Sequence, residues 1–386
     1  MKKLCKAFFL SLLLLPLLVS AEIVLRRPAE SAVVSAIAPE LKEFLLAPTA
    51  ERRELFNDKA YRARLNLMRD AVPTEFGWEC TEGETGKFVM VVSDRADFST
   101  PTQVLVRQPE SGVPAASAVN FMIGKTYYWK VVCTAADGTV SESAVGSFST
   151  EDFAPRLLRV DNVGNVRDLG GRIGLDGRRI RQGMIYRTAG LNENSPDFSW
   201  DSREWKIPLS EFRIGKPRIT EAAAVYVREV LGVKTDLDLR SDGEVASMNA
   251  SPAGDGVNWV HRSSSGYGDI FKSQIGRDAM AANFRLFCDP VNYPVLFHCI
   301  AGADRTGALA YVLNAVLGVP ADELEKDWEI TANSYFSYPG MFDDLSGGFD
   351  NFGTAETPLS EKAALYLQSI GVTPEEIAAF RAIMLE

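Results

Sequence analysis

The stretch Pro294-Val295-Leu296-Phe297-His298-Cys299-Ile300-Ala301-Gly302-Ala303-Asp304-Arg305-Thr306-Gly307 predicts a buried strand that runs directly into a helix. It begins as a short apolar run, which is typical of a buried strand. The residues that follow it, 308–317, are apolar up to Gly318 and Pro320, which end a helix. This arrangement indicates an α/β domain around a central sheet flanked by helices.

The side chains at the turn suit a phosphate group. Cys299 is expected at the strand end, and Arg305 follows after five residues at the helix start. The amides of the turn and the positive end of the helix dipole attract an anion, and an arginine fork can hold two of its oxygens. The same field favours a reactive thiolate on Cys299. The structural alternative is a buried cysteine beside a helix-capping arginine.

Three motifs, which follow one another along the chain in the expected order, resemble a known family. HCIAGADRTG at 298–307 is similar to the HCxAGKDRTG loop of the bacterial tyrosine phosphatase family, within the wider signature of cysteine-dependent phosphatases. Asn165-Val166-Arg167-Asp168-Leu169-Gly170-Gly171 looks like the NxRDLGG entry motif of that family. Asp236-Leu237-Asp238-Leu239-Arg240-Ser241, with Glu244, looks like its DLRS-x-x-E strand. The resemblance covers residues 155–386, and the family includes secreted enzymes that act on phosphotyrosine and on phosphoinositides.

The resemblance implies roles for individual residues. Cys299 is expected to be the nucleophile, Arg305 the phosphate clamp and Asp304 the general acid, with Asp238 and Asp168 as alternative acids. An Asp304 that only braces the loop, and an Asp168 that only holds a buried turn, are the structural alternatives. The expected phosphate-binding residues are Ile300, Ala301, Gly302, Ala303, Thr306 and Gly307. The expected supporting residues are His298, Asp168, Asp238 and Arg240.

Residues 1–21 predict a signal peptide. Lys2, Lys3 and Lys6 form a basic start, residues 7–19 are apolar, and Val19-Ser20-Ala21 has the small residues of a cleavage site. The apolar run is short for a membrane span, and an uncleaved anchor is the alternative. We therefore expect an exported protein, periplasmic or extracellular, with no stable membrane insertion after removal of the signal.

The charge of the chain disfavours nucleic acid as a partner. The sequence has 41 basic and 51 acidic residues, and the predicted signal carries three of the lysines, so the remainder has a net charge of −13. We expect a phosphorylated protein or small phosphoester as the substrate. No cofactor is expected. The two histidines, and cysteines without zinc-like spacing, also give no reason to expect a metal.

Residues 22–150 predict a second domain. Alternating apolar residues around Trp78, Phe88–Val92, Gln103–Val106, Ala118–Met122 and Tyr127–Cys133 indicate the short strands of an all-β sandwich. The stretch around Trp129 resembles fibronectin type III domains. A helical insertion is expected within residues 22–72. Residues 151–157 would link the two domains.

Four cysteines follow the predicted signal. Cys80 and Cys133 are expected on inward faces of the sandwich, either as a disulfide or as two buried thiols. Cys288 could cap an oxidised Cys299 if the two sulfur atoms lie close together. Two polar, aromatic segments, 192–217 and 335–357, are expected to be loops, and either could cover the site or form a plain surface insertion.

Three functions fit these features. The first is a secreted protein-tyrosine phosphatase that forms a phosphocysteine intermediate. The second is a phosphatase acting on phosphoinositides or inositol phosphates. The third is a binding protein that holds a phosphorylated ligand without turnover, which the presence of both Cys299 and Arg305 disfavours.

Ala303 generates a prediction about substrate class. The resembling family usually has lysine at this position, and a lysine would favour substrates with several phosphates. Because Ala303 lacks that charge, we expect a preference for singly phosphorylated substrates, with phosphotyrosine first. Ala303→Lys should shift the ratio of kcat/KM values toward a bisphosphorylated phosphoinositide over a phosphotyrosine peptide, measured at fixed ionic strength. A wild-type preference for the lipid, arising if Arg181, Arg187 or Arg240 supplies the charge instead, would contradict the prediction.

Overall fold

The computed structural model describes residues 22–80, 86–99, 101–107, 115–192, 219–332 and 339–386. The predicted signal, residues 1–21, lies outside this described part, as does segment 192–217 after its first residue. No helix in the described ranges combines the length and apolar character that a membrane crossing requires. The described residues also contain no group of three metal-ligating side chains.

The described chain is a mixture of strands and helices. The strands are β1 Ile23–Arg27, β2 Ala32–Val34, β3 Thr74–Cys80, β4 Lys87–Ser93, β5 Pro101–Arg107, β6 Ala115–Ala118, β7 Thr126–Thr134, β8 Val140–Glu142, β9 Gly146–Thr150, β10 Arg167–Asp168, β11 Ile185–Thr188, β12 Thr235–Asp238, β13 Asn258–His261 and β14 Val295–His298. The helices are α1 Pro39–Leu46, α2 Thr49–Leu55, α3 Lys59–Asn66, α4 Glu221–Val225, α5 Asp269–Lys272, α6 Gln274–Leu286, α7 Asp304–Val316, α8 Ala321–Ala332, α9 Pro339–Gly347, α10 Leu359–Ser369 and α11 Pro374–Met384.

The C-terminal part is built on a five-stranded sheet in the order β10-β11-β14-β12-β13. The neighbours from β11 to β13 run parallel, and only β10 is antiparallel to β11. All four residues of β14 are buried, as expected for a central strand covered on both faces. Helix α7 follows β14 and is buried at every position from Thr306 to Val316. The α/β arrangement predicted from residues 294–317 is therefore present.

The N-terminal part contains two sheets. One has the order β1-β3-β6, and the other has the order β2-β9-β7-β4-β5 with β8 paired to β7. Aromatic side chains from both sheets meet in one core, where the rings of Phe76 and Trp129 are 5.0 Å apart. Strand β2 runs parallel to β9. The fibronectin resemblance stays a prediction.

Two predicted elements differ from the structure. The strand expected at Ala118–Met122 lies earlier, as β6, and the backbone turns at Asn120, whose φ is 69°. The amide of Asn120 instead contacts the C-terminal part, donating to Arg159 O and to the Tyr226 hydroxyl. Segment 335–357 was expected to be a loop, but residues 339–351 form α9 and a 3-10 turn, Gly348–Asn351, and only residues 352–357 of its described part are irregular. Phe342 and Phe349 are buried against Tyr311, and this apolar contact outweighs the low helix propensity of the glycines in the segment.

The four cysteines that follow the predicted signal are free thiols in the structure. Cys80 and Cys133 lie on the two facing sheets, in β3 and β7, as predicted. Cys288 packs near Tyr293, before β14, whereas Cys299 follows its last residue. A four-residue strand spans about 13 Å, so the two sulfur atoms do not lie close together.

The helical insertion packs against the C-terminal part. Helices α1–α3 share a hydrophobic cluster with Leu157 and Ile330. Arg52 of α2 is 1% exposed and pairs with Glu329 of α8, which is also buried, with its Nε 2.7 Å from Oε2. The same guanidinium lies 2.8 Å from Asp322. Burial raises the pKa of Glu329 to about 7, although Arg52 lowers it. The insertion therefore rests on α8 through a buried charge pair.

Removal of Arg52 should destabilise the protein more than removal of its neighbour Arg53. Arg52→Met leaves the buried carboxyl of Glu329 without its partner, so we expect a loss of about 3 kcal/mol in the free energy of unfolding. Arg53 pairs with Glu325 and Asp343 but is 37% exposed, so Arg53→Met should cost less than about 1 kcal/mol. Denaturant unfolding of both variants measures the difference, and equal losses would contradict a buried pair.

Candidate active site

Cys299 lies at the carboxyl end of the central strand. Strand β14 is flanked by β11 and β12, and in register Thr188 and Asp238 both lie beside His298. The carboxyl ends of three parallel strands therefore meet at one edge of the sheet, where α/β proteins bind their ligands. Residues 299–303 then form a turn, which we call the phosphate loop, before α7 begins at Asp304.

The first four carbonyl groups of the phosphate loop are all bound by protein donors. His298 Nδ1 lies 3.0 Å from Cys299 O, and Gly190 N donates to Ile300 O at 2.8 Å. The Asn165 amide donates to Ala301 O at 3.2 Å and to Gly302 O at 3.0 Å. Arg187 Nη2 also donates to Gly302 O, at 2.7 Å.

These bonds set the direction of the peptide groups. Within a trans peptide unit the carbonyl and the amide point in opposite directions, so carbonyls held by the surrounding protein turn the amides the other way. Within the described chain, the amides of residues 300–303 have no acceptor. Unpaired donors at the start of a helix form an anion site. The arrangement can therefore bind a phosphoryl group beside the Cys299 sulfur.

Arg305 is held from one side. Its Nη1 and Nη2 atoms bond the two carboxylate oxygens of Glu244, at 2.6 and 3.1 Å. A guanidinium has five N–H donors, so the edge formed by Nε and the second Nη2 proton remains for a ligand. Burial lowers the pKa of Arg305, but Glu244, Cys299 and Asp304 outweigh this and raise it further above its usual range. Arg305 therefore stays charged and oriented.

His298 is buried between two carboxylates. Its Nε2 lies 3.1 Å from Asp236 Oδ1, and its Nδ1 lies 3.9 Å from Asp238 Oδ1. Burial lowers the pKa of His298, but Asp238 and Asp236 outweigh it and raise the pKa to about 9. The imidazolium therefore lies next to Cys299 and contacts the phosphate loop at Cys299 O.

Asp238 and Arg240 form a buried pair. Arg240 donates to both oxygens of the Asp238 carboxylate, with Nη2 2.6 Å from Oδ2. Burial raises the pKa of Asp238, but His298 and Arg240 outweigh it and lower the pKa to about 2. Asp238 is therefore ionised at neutral pH, which argues against its use as an alternative acid.

Asp168 holds a turn. Its oxygens accept from Gly170 N at 2.8 Å, from Gly183 N at 2.6 Å and from Arg156 Nη1 at 2.9 Å. The carboxylate is fully buried among these donors. The structural alternative given for Asp168 therefore fits these contacts better than the role of an acid.

A buried aspartate in α8 organises the arginines near the loop. Asp327 pairs with Arg167, Arg172 and Arg187. Burial raises the pKa of Asp327, but the three arginines outweigh burial and hold that pKa far below its usual range. Arg187 then reaches Gly302 O, and Arg167 holds the Asn165 side chain through Nη1, at 2.6 Å. Asp327 thus positions Arg187 directly and Asn165 through Arg167. These two side chains donate to the carbonyls of Ala301 and Gly302.

Asp304 lies at the edge of the loop, where part of its surface is exposed. Although part of the residue is exposed, partial burial of its carboxyl raises the pKa of Asp304, an effect that a hydrogen bond with Tyr267 and the charge of Arg305 oppose. Thr306, two positions later, has a buried hydroxyl without a partner among the described residues. Asp304 can therefore carry a proton at higher pH than an ordinary aspartate, and Thr306 can donate to an atom in the loop.

The sequence interpretation missed several residues at this site. Asn165 and Glu244 lie in quoted motifs, and their place in those motifs was the available signal. Tyr267 and Asp327 belong to no motif, and only the packing of their segments brings them to the loop.

Gly302 is a position where a side chain cannot be accommodated. Its φ is +66°, and a Cβ there would lie 2.3 Å from Thr188 O and 2.6 Å from Thr188 C. Gly302→Ala should therefore lower the melting temperature and abolish binding of vanadate, because the backbone of β11 cannot give way. Gly177 has a similar φ of +70° with open space around it, so Gly177→Ala should cost about 1 kcal/mol in stability and keep vanadate binding. Equal behaviour of the two variants would contradict this assignment.

Comparison with known proteins supports a phosphatase. The profile of the tyrosine phosphatase family matches residues 158–200 and 212–338, both within the region predicted to resemble it. A protein of Cupriavidus necator, provisionally named a tyrosine-protein phosphatase, is 27% identical over 243 residues, which cover 55% of this chain and 76% of that protein.

A solved structure was also matched. It is the core catalytic domain of the PP-IP phosphatase SIW14 from S. cerevisiae in complex with citrate, at 16% identity, covering 47% of this chain and 80% of that one. Its TM-score is 0.21, so this likeness carries no argument. By the family profile and the Cupriavidus relative, the C-terminal part is similar to the tyrosine phosphatase family.

Proposed function

We propose that the protein is an exported, cysteine-dependent phosphomonoester hydrolase whose preferred substrates carry phosphotyrosine. The observation that carries the proposal is the phosphate loop, in which four bound carbonyls direct the amides toward the space beside Cys299. The proposed export rests on the basic and apolar character of residues 1–19 and the small residues before position 22.

The proposed reaction has two steps. In the first, the Cys299 thiolate attacks phosphorus, a sulfur–phosphorus bond forms, and the bond to the leaving oxygen breaks. The loop amides and the side edge of Arg305 stabilise the three other oxygens of the phosphoryl group. Asp304 gives its proton to the leaving oxygen.

In the second step, water attacks the phosphocysteine. The Asp304 carboxylate takes a proton from that water, inorganic phosphate forms, and the sulfur–phosphorus bond breaks. The unpartnered hydroxyl of Thr306 can donate to the departing thiolate. The enzyme returns to its starting state with Cys299 ionised and Asp304 protonated.

Asp304 is the preferred acid because its competitors are already engaged. A general acid must hold its proton near the working pH. Asp238 has a pKa of about 2 and faces Arg240, and Asp168 accepts three hydrogen bonds from the turn around it. The pKa of Asp304, in contrast, is raised by the protein around it.

The preference for singly phosphorylated substrates rests on where the nearby arginines point. Arg187 is bound to Asp327 and Arg240 to Asp238, both fully buried pairs. Arg181 donates to Ile383 O and lies near Glu386 at the end of the chain. Arg187 and Arg240 are therefore not left to bind a second phosphate, and Arg181 is directed toward the last residues of the chain.

Cys299→Ser tests the nucleophile. An alcohol beside the loop lacks the reactivity of a thiolate, so turnover of a phosphotyrosine peptide should fall by about 10⁴-fold or more. Binding of the peptide should persist, because the amides and Arg305 remain. Equilibrium binding and steady-state rates on the same preparation separate the two, and near-normal turnover would overturn the mechanism.

Asp304→Asn tests the acid. The value of kcat/KM on phosphotyrosine should fall by about 10²- to 10⁴-fold, because the phenolate must leave without a proton. On an aryl phosphate whose leaving group is a strongly acidic phenol, the loss should be less than about tenfold. The ratio kcat/KM is the correct quantity, because it reports the steps up to formation of the phosphocysteine and excludes the later hydrolysis of that intermediate. Equal losses on the two substrates would assign the proton transfer to another group.

A further inference from the structure

The segment after β13 lies against the start of α7. A Cβ built on Gly266 would lie 2.9 Å from Asp304 Cβ and 3.3 Å from Arg305 N. The backbone of this segment therefore touches the first two residues of α7, directly after the phosphate loop. Only a glycine permits so close an approach at this point.

The next residue, Tyr267, is held in an unusual conformation. Its φ is 42°, in the left-handed region that few residues other than glycine adopt. Its ring packs on the main hydrophobic core, and its hydroxyl forms a hydrogen bond with the Asp304 carboxyl. Backbone strain of this kind persists only where the surrounding structure fixes it, and it is frequent at active sites.

We propose that Tyr267 is a positioning residue for Asp304, whose carboxyl it holds at the edge of the phosphate loop in the orientation that protonates the leaving oxygen. The proposal rests on the proposed function and deepens it. Tyr267 does not exchange a proton with substrate. Its hydroxyl donates to the carboxylate after the first step and accepts from the carboxylic acid before it.

The charged and titratable groups that face Asp304 in the described structure are Tyr267, from the segment after β13, and Arg305, from its own helix. Arg305 in turn faces Cys299 and Glu244. A hydrogen bond from Tyr267 stabilises the ionised carboxylate and so lowers the pKa of Asp304. Without that bond the pKa rises, and Asp304 keeps its proton to higher pH.

Tyr267→Phe tests the proposal, since it removes one oxygen and keeps the ring. The value of kcat/KM on phosphotyrosine should fall about threefold to tenfold, with little change on the aryl phosphate that needs no proton. The basic limb of the pH profile on phosphotyrosine should move to higher pH by about half to one unit. Loss of a purely structural contact would lower both rates equally and leave the limb in place.

Tyr293→Phe is the matched control. Its hydroxyl is also buried and donates to Phe287 O, at 2.6 Å, but it lies before β14, at the opposite end of the strand from Cys299. This variant should lose stability without changing the substrate ratio or the pH limb. A shift of the limb in the control as large as that in Tyr267→Phe would overturn the proposal.

The result for Asp304→Asn distinguishes the acid role of Asp304 from the positioning role of Tyr267. A selective loss on phosphotyrosine in Asp304→Asn, with no selective loss and no limb shift in Tyr267→Phe, would overturn the role of Tyr267 alone. Equal losses on both substrates in Asp304→Asn would overturn the acid role and the role of Tyr267 together, while leaving Cys299 as the nucleophile.

Discussion

The direction of four peptide groups is the constraint on which the site depends. The carbonyls of residues 299–302 are held by donors from four places in the chain: His298, Gly190, Asn165 and Arg187. Each donor would lose a buried hydrogen bond if its carbonyl turned, and such groups are costly to leave unpaired. The anion site is therefore built before any phosphate arrives, which is the condition for electrostatic stabilisation without reorganisation.

The rest of the fold keeps those donors in place. Asp327 in α8 fixes Arg187 and Arg167, and Arg167 fixes Asn165. Another face of the same helix carries Glu329, which is paired with Arg52 of the helical insertion. Helix α8 thus carries both the buried partner of the insertion, Glu329, and the aspartate that orients the donors of the phosphate loop, Asp327. The helical insertion expected within residues 22–72 therefore packs on the helix that orients the loop donors.

The motifs in the sequence indicated the candidate site but not the contacts that hold its residues in place. A cysteine at a strand end and an arginine at a helix start follow from local patterns, and β14 and α7 lie where those patterns predicted. Asp168 and Asp238 show the limit of this reasoning, because a motif gives a carboxylate without its partners, and both carboxylates are bound by buried arginines. Tyr267 and Asp327 could not be found, since their contacts join segments distant in sequence.

Asn120 shows the same limit in the N-terminal part. Its side chain bonds Arg159 O and the Tyr226 hydroxyl at a position where the sequence predicted a strand.

The most direct test of the central claim is to trap the enzyme with its phosphoryl group. The Asp304→Asn variant, supplied with an aryl phosphate whose leaving group needs no proton, should complete the first step and hydrolyse the intermediate slowly. After a rapid acid quench, mass spectrometry of the peptide that contains Cys299 should show the added mass of one phosphoryl group on that sulfur. Turnover without any modified Cys299, or a phosphoryl group on a different residue, would contradict the proposed mechanism.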